Sequence, residues 1–302
     1  MQRYGKENPT PLIKKEKYFL IYAIFSTLEF KFAPMTKEMM KIINLPETEF
    51  FAHHMHLGTI EAKTHYHAKG QLLYAEGGII HVFVEEKHWY LPARCFMWIP
   101  PNRNHSILTN SRNGDLYNFY FDSDESDFYN EPDIYFANDL LREMILYTRD
   151  WEGIITEKTP SKYFFLKALK ANLPQMESNK LPITIQHPFP KEENLIKIAR
   201  FLTQNLEKNN SLDDIAKEFG YSTRTLSRKF KEKVGMSYVR FLRSLRITKS
   251  LQLIAENQYN MYEIAMQVGY NSLSSFSTIF SKVMGMTPSD YKQMISTRKA
   301  GK

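Results

Sequence analysis

Cysteine is almost missing from this 302-residue chain, Cys95 being the single one. An internal disulfide framework is thereby excluded. The run Cys95-Phe-Met-Trp-Ile99 surrounds the thiol with large apolar groups, which reads as core and not as a reactive site. Long apolar runs are missing too. The best candidate, Tyr18 to Phe25, follows Lys14, Lys15 and Lys17 in the manner of a signal peptide. It is too short to span a bilayer, and no clear small-residue cleavage site comes after it. A cytoplasmic protein is expected, with residues 1–34 as a leader and translation starting at Met35.

Negative charge is scarce in one part of the chain only. From Pro190 onward there are 19 Lys+Arg against 10 Asp+Glu, whereas the remainder has 21 against 23. The length suggests about two domains, and a basic surplus confined to one of them points to phosphate contacts through counterion release.

That basic part contains one pattern twice. Ser211-Leu-Asp-Asp-Ile-Ala-Lys-Glu-Phe-Gly220-Tyr221 is echoed by Asn260-Met-Tyr-Glu-Ile-Ala-Met-Gln-Val-Gly269-Tyr270, and each copy continues to an aromatic and a late glycine, Phe230 to Gly235 and Phe280 to Gly285. Leu212, Ile215, Ala216 and Phe219 recur at helical spacing behind the N-cap candidate Ser211, and Asn260 with Glu263 makes a capping-box start for the second copy. A glycine then stops each first helix and allows a tight turn, which is the plan of a duplicated helix-turn-helix. Turn glycine to late glycine is 15 residues in the first copy and 16 in the second, so an insertion of one residue is expected before the second copy's second helix. Between the copies, Val239, Leu242, Leu245, Leu251, Leu253 and Ile254 alternate with Arg240, Arg243, Arg246 and Lys249 along Ser237 to Ala255. A helix of about 19 residues is about 28 Å long and could hold two recognition helices about one duplex turn, roughly 34 Å, apart.

On the first recognition helix, Thr223 to Glu232, the polar side offers Thr223, Arg224, Ser227, Arg228 and Lys231, because Leu226 and Phe230 occupy the other face. On the second, Leu273, Ser274, Ser275, Ser277 and Thr278 supply short hydroxyls without charge. Arginine can bind guanine bidentately, so the first helix is expected to read bases and the second to act mainly as a clamp. The duplication, the linking helix and the ending Gly285-Met-Thr-Pro-Ser-Asp-Tyr291 together resemble the AraC/XylS family of bacterial transcription regulators. That resemblance implies an operator in double-stranded DNA as partner, with Arg224, Ser227 and Arg228 toward base edges. It also implies a homodimer, acting as activator or repressor, and contact with RNA polymerase if the protein activates.

Upstream, Phe51 to Asp122 has the texture of a β-domain. His53 to Leu57, Gln71 to Tyr74, Ile79 to Val84, His88 to Leu91, Cys95 to Ile99 and Tyr117 to Phe121 are apolar or alternating runs punctuated by Gly58, Gly77-Gly78, Pro92 and Pro100-Pro101. A small barrel or jelly roll is expected. His65-x-His67-x3-Gln71-x6-Gly78 and Pro100-x-Asn102-x-x-His105 resemble the two cupin motifs, with Gln71 where that pattern has glutamate and Asn102 where it has glycine. Gly70-Gln-Leu-Leu-Tyr-Ala75 with Trp98-Ile-Pro-Pro101 is similar to AraC-type regulators that carry cupin sensors. His65 and His67, two apart, face the same way if they lie on a strand. With Gln71 and His105 they would present three imidazoles and an amide oxygen to a divalent metal, Zn²⁺, Ni²⁺, Fe²⁺ or Mn²⁺, or to a small organic effector. His53, His54, His56, His81, His88 and His187 complete no recognisable site.

The fold class is therefore α+β and multidomain: a cupin-like sensor barrel over residues 35–130, a helical dimerisation or barrel-capping segment over 131–179, a proline-interrupted linker over 180–191, and an all-α double helix-turn-helix domain over 192–302. In the helical segment, Leu140, Leu141, Met144, Ile145 and Tyr147 form one apolar stripe, and Phe164, Phe165, Leu166, Ala168, Leu169 and Leu173 another. The function expected is a transcription regulator and not an enzyme. A metal-dependent cupin enzyme with an appended DNA-binding domain is the alternative, although Gln71 replaces a carboxylate and no general-base constellation lies nearby. A third reading is a DNA-binding protein whose barrel only mediates association.

Overall fold

The computed structural model describes residues 31–32, 36–58, 60–85, 87–109, 114–181, 186–188 and 192–296. Apart from Lys31–Phe32, the expected leader lies outside them. The first half is built of strands β1 (Lys31–Phe32), β2 (Phe50–His56), β3 (Ile60–His65), β4 (Gly70–Glu76), β5 (Ile79–Val84), β6 (Lys87–Pro92), β7 (Cys95–Ile99), β8 (His105–Thr109) and β9 (Asp115–Phe121), with a short helix α1 (Lys37–Ile43) before β2. With β10 (Asp133–Phe136), β11 (Gly153–Ile155) and β12 (Gln186–Pro188) further along the chain, the strands among the described residues form two six-stranded sheets, one in the order β1-β3-β8-β5-β6-β12 and the other β10-β7-β4-β9-β2-β11.

Side-chain alternation on these strands creates two apolar layers. On β4, Leu73 lies opposite Met97 and Gln71 opposite Ile99; Leu73, Met97 and Ile99 join Val82, Val84 and Ile107 of the other sheet in one buried cluster between the sheets. The intervening residues Leu72, Tyr74, Phe96, Trp98, Phe119 and Phe121 turn outward and are buried instead by helices. Both faces of β4 are thus covered, and for that reason all of its residues are buried and its apolar ones run consecutively from Leu72 to Ala75 instead of alternating.

The covering helices are α2 (Asp139–Tyr147) and α3 (Pro160–Asn172). They bury Leu141, Ile145, Tyr163, Leu166 and Leu169 against the outer face. The Arg142 guanidinium holds the buried Glu76 carboxylate of β4 at 2.7 Å, and the Tyr74 hydroxyl donates to the same carboxylate. The expected stripes are corrected in part, since Leu140, Tyr147 and Phe164 are 61%, 69% and 62% exposed. The stretch 131–179 is also not helical throughout. Strand β10 (Asp133–Phe136) pairs with β7 and β11 (Gly153–Ile155) with β2, each adding to an edge that would otherwise leave backbone groups unpaired. Within the expected linker, β12 (Gln186–Pro188) pairs antiparallel with β6, with Pro188 at the end of an edge strand where a missing N–H is tolerated.

The C-terminal half contains α4 (Glu193–Gln204), α5 (Leu212–Glu218), α6 (Thr223–Lys229), α7 (Tyr238–Glu256), α8 (Met261–Gln267), α9 (Leu273–Met284) and α10 (Pro288–Ser296). Helix α7 runs unbroken for 19 residues. Its first half, with Tyr238, Phe241, Leu242 and Leu245, belongs to the core of the first helix pair. Its second half, with Ile247, Leu251, Leu253 and Ile254, belongs to a cluster shared by the second helix pair and the barrel. Val239, expected among the apolar positions, is 61% exposed, whereas Arg246 is buried.

Candidate functional site

Each helix pair begins with a reciprocal cap. Ser211 Oγ accepts from Asp214 N at 3.2 Å while Asp214 Oδ2 accepts from Ser211 N at 2.9 Å; Asn260 and Glu263 repeat this at 2.9 and 2.8 Å. These pairs satisfy amide groups that a helix start leaves open. Gly220 and Gly269 then turn the chain with φ of +70° and +81°. Ser222 caps α6 and Ser272 caps α9. The cap follows the turn glycine by two residues in the first copy and by three in the second, which places the one-residue insertion in that turn.

On α6, Leu226 is buried, Thr223, Arg224 and Arg228 are exposed and Ser227 is half-buried. Lys231 is exposed as well, but on a π-helical turn, Phe230–Val234, that follows α6, so its direction is not set by α-helical spacing. Thr223 donates from its hydroxyl to Asp213 of α5, which ties the recognition helix to its scaffold. Arg228 lies 3.9 Å from Glu232, and both side chains are largely exposed. An ion pair in such a setting holds the guanidinium weakly and leaves it free for DNA.

On α9, Leu273, Ser274, Ser275 and Thr278 are exposed, Ser277 is half-buried, and Phe276 and Phe280 turn inward. Ser275 differs from its neighbours: its hydroxyl lies 3.0 Å from Ser272 Oγ and its amide donates to the same oxygen at 3.1 Å. It serves the cap of α9. The two helix pairs are linked by Arg246 of α7, whose Nη2 donates to Asn209 Oδ1 at 2.7 Å while its guanidinium lies 5.2 Å from the centre of the Tyr270 ring. The barrel meets the second pair through the cluster described above and through Tyr291 of α10, whose hydroxyl donates to Ala93 O at 3.4 Å. The exposed faces of α6 and α9 are on neither contact.

At one end of the barrel, His65, His67 and His105 converge, each with a potential ligand atom within 4.8 Å of the others. Strand alternation does not bring this about. His65 is the last residue of β3, beyond a register shift, and is paired with His105 at the start of β8, whereas His67 lies in the turn after the strand. The ring centres are 4.3 Å apart for His65 and His105, 4.9 Å for His67 and His105, and 5.9 Å for His65 and His67. Burial depresses the basicity of all three rings, and the neighbouring imidazoles depress that of His105 further.

Each Nδ1 faces a backbone carbonyl: Lys63 O at 2.7 Å from His65, Arg103 O at 2.8 Å from His105, and Lys69 O from His67. A carbonyl only accepts, so each Nδ1 carries the hydrogen and each Nε2 of a neutral ring presents a lone pair. The Nε2 atoms of His65 and His105 are buried with no hydrogen-bond partner among the described residues, and that of His67 lies 3.2 Å from Gln71 Oε1. Gln71 in turn donates to Asn118 Oδ1 at 2.9 Å and the Tyr120 hydroxyl at 3.1 Å. These residues fit a metal ion: their imidazoles have the carbonyl partners that metal-binding histidines use, and their unpaired nitrogens share one space. Asn118 and Tyr120 escape sequence reasoning, although a lone asparagine inside the apolar run Tyr117 to Phe121 is a signal that could have found one of them. His81 and His88 form a separate stacked pair, 3.1 Å apart from ring nitrogen to ring nitrogen.

A family model described as a helix-turn-helix domain matches residues 215–294. The HTH-type transcriptional regulator NimR of Escherichia coli strain K12 is 26% identical over 268 residues, 86% of this chain and 96% of NimR. The HTH-type transcriptional activator RhaR of Salmonella dublin is 31% identical over 104 residues, 34% of this chain and 37% of RhaR. The chain thus spans nearly all of the first relative and little more than a third of the second. Among solved structures, ToxT from Vibrio cholerae is 16% identical, with 82% of this chain and 99% of that one covered and a TM-score of 0.35. The matched segment runs from inside the first helix pair through α7 to α10, and the relatives that cover it are named as transcription regulators. With both helix pairs, the long connecting helix and the Thr-Pro-capped last helix in place, the chain is a helix-turn-helix transcriptional regulator that binds double-stranded DNA, and its arrangement is similar to that of the AraC/XylS type.

Proposed function

We propose that this protein binds its operator as a homodimer, with Arg224, Ser227 and Arg228 of α6 reading base edges, Thr223 and Lys231 contacting the backbone, and Leu273, Ser274, Ser275, Ser277 and Thr278 of α9 fixing position in the neighbouring groove. The observation that carries this reading is the difference between the two exposed faces: α6 presents two exposed arginines, whereas the first turns of α9 present hydroxyls and one leucine, its one exposed lysine, Lys282, lying in the last turn. Arginine to guanine is worth about 1–3 kcal/mol of discrimination, and hydroxyl contacts to phosphate carry no sequence information directly.

The barrel end with His65, His67, Gln71 and His105 is the effector site. An effector acts by binding two arrangements of the regulator unequally, and the shared core between barrel and second helix pair gives it a route to α9. The exposed Leu140, Tyr147 and Phe164 of α2 and α3 supply the apolar face for dimerisation. The protein works in the cytoplasm, and its chemistry is recognition without catalysis.

Operator mapping followed by titration of Arg228→Ala and Ser274→Ala tests the division of labour. The arginine change should lower discrimination between the operator and a one-base variant about tenfold or more, while the serine change weakens binding to both alike. A greater loss of discrimination with Ser274→Ala refutes the assignment.

A further inference from the structure

Arginines of the first half of the chain are matched by acids: Arg94 by Asp139 at 2.9 Å, Arg103 by Glu85 at 2.9 Å, Arg142 by Glu76 at 2.7 Å and, more loosely, Arg149 by Asp150 at 3.7 Å. In the helical half, Arg228 faces Glu232 and Arg246 is held by Asn209. Among the described residues, Arg224, Arg240 and Arg243 have side chains that enter no hydrogen bond or ion pair. Arg224 belongs to the exposed face of α6. Arg240 and Arg243 stand on α7, outside both recognition helices.

Their placement is unfavourable for α7 itself. Arg240 lies in the first turn, where the helix dipole disfavours a cation, and Arg243 follows three residues later, close enough for like charges to repel. No acidic residue stands in that first turn, and the only carboxylate of the helix is Glu256, its last residue. Glutamine in either place would relieve the repulsion and favour the helix about as well. Stability alone therefore does not account for these arginines, whereas an anion from outside the protein does.

Position identifies the anion. Arg240 comes three residues after the cap Ser237, and so soon after the π-helical turn that ends the first helix pair. Arg243 is half-buried near Tyr270: burial pushes the Tyr270 hydroxyl up, and the charges of Arg246 and Arg243 pull it the other way. Tyr270 stands two residues ahead of Ser272, the cap of α9. A recognition helix meets base edges with its N-terminal residues, so Arg243 is beside the end of α9 that DNA meets. The two arginines thus occupy the interval between the groove helices. Three helical residues rise about 4.5 Å, against about 3.4 Å of duplex axis per phosphate on one strand. That spacing suits neighbouring phosphates, whose oxygens a guanidinium takes bidentately.

Resting on the reading of α6 and α9 as the two groove helices, we infer that Arg240 and Arg243 clamp the stretch of DNA backbone that crosses between the two grooves, through its phosphates and without regard to base sequence. Phosphate contacts fix register and carry no sequence information directly.

Titration of the full-length protein with a mapped operator at a series of KCl concentrations tests this. Each phosphate contact contributes about 0.9 to the slope of log affinity against log salt. Arg240→Gln and Arg243→Gln, checked for fold by circular dichroism, should each lower the slope by about 0.9 and together by about 1.8. Discrimination between the operator and a one-base variant should stay as in wild type. Arg243→Lys should keep the slope, and so should Lys41→Gln, a change of an exposed lysine in the first half of the chain. Methylphosphonates in place of the phosphates between the two grooves should weaken wild type about tenfold and leave the double variant unaffected. An unchanged slope in the glutamine variants, a loss of discrimination, an equal fall with Lys41→Gln, or equal weakening of wild type and double variant by methylphosphonates overturns the inference. Arg228→Ala on the same operator separates it from the functional reading. Lost discrimination in that variant with unchanged slopes in the others removes the clamp and leaves α6 as reader, whereas lowered slopes beside full discrimination in Arg228→Ala do the reverse.

Discussion

Gly220 and Gly269 occupy equivalent turns, both with positive φ, yet their surroundings differ. A Cβ added at Gly220 meets nothing within 4 Å, while one at Gly269 would stand 2.0 Å from Leu206 O and 2.8 Å from Arg246 Nη2. Gly220→Ala should therefore cost only the left-handed penalty, about 1–2 kcal/mol. Gly269→Ala adds the displacement of a backbone carbonyl and of a buried guanidinium, about 1–3 kcal/mol more. Urea denaturation followed by circular dichroism should show the larger loss of midpoint for Gly269→Ala; equal losses would contradict the close packing of Arg246. That arginine also marks the limit of residue-level reading. In sequence it stands in a basic series with Arg240 and Arg243, but tertiary packing places it against Asn209 and Tyr270.

Helix starts are the most legible elements in this chain, because a cap is made by residues three apart and needs no distant partner. Ser211 with Asp214, Asn260 with Glu263 and Thr287 with Asp290 each close a reciprocal pair. Removing one should have a local price. Ser211→Ala is expected to lower the stability of the first helix pair by about 1 kcal/mol, whereas Ser211→Asp should preserve it. Hydrogen exchange of α5 amides measures this directly, and unchanged protection in Ser211→Ala would remove the cap from the account. Helix α7 was legible as a helix, but its division between two cores was not. Apolar spacing shows that residues are buried without showing what buries them.

At the scale of the whole molecule, α7 and the Arg246 bridge join the two helix pairs. A 19-residue helix spans about 28 Å, close to one duplex turn of about 34 Å. An insertion of five base pairs between the two contacted grooves turns them about half a turn apart. Binding should then fall at least tenfold, toward that of an operator keeping only the groove read by α6. Gel-shift titration on spaced operators checks this, and retained affinity would mean that the two helix pairs move independently. The barrel's shared core with the second pair makes the same molecule-wide coupling available to an effector.

What the sequence determined by itself was local or repeated: the caps, the turn glycines, the duplicated helix pair with its inserted residue, the apolar strand runs, and the family resemblance that these motifs carry. Each depends on interactions within a few residues or on periodicity, and chemistry at that range is written in neighbouring side chains. Tertiary structure alone decided the rest. It brought His67 from a turn to the pair His65 and His105, turned the Gln71 amide through Asn118, buried Arg246, and joined β10, β11 and β12 to sheet edges. It also merged the barrel core with that of the second helix pair. These outcomes depend on which surfaces meet after the chain has folded back over tens of residues, and sequence order does not encode those distances.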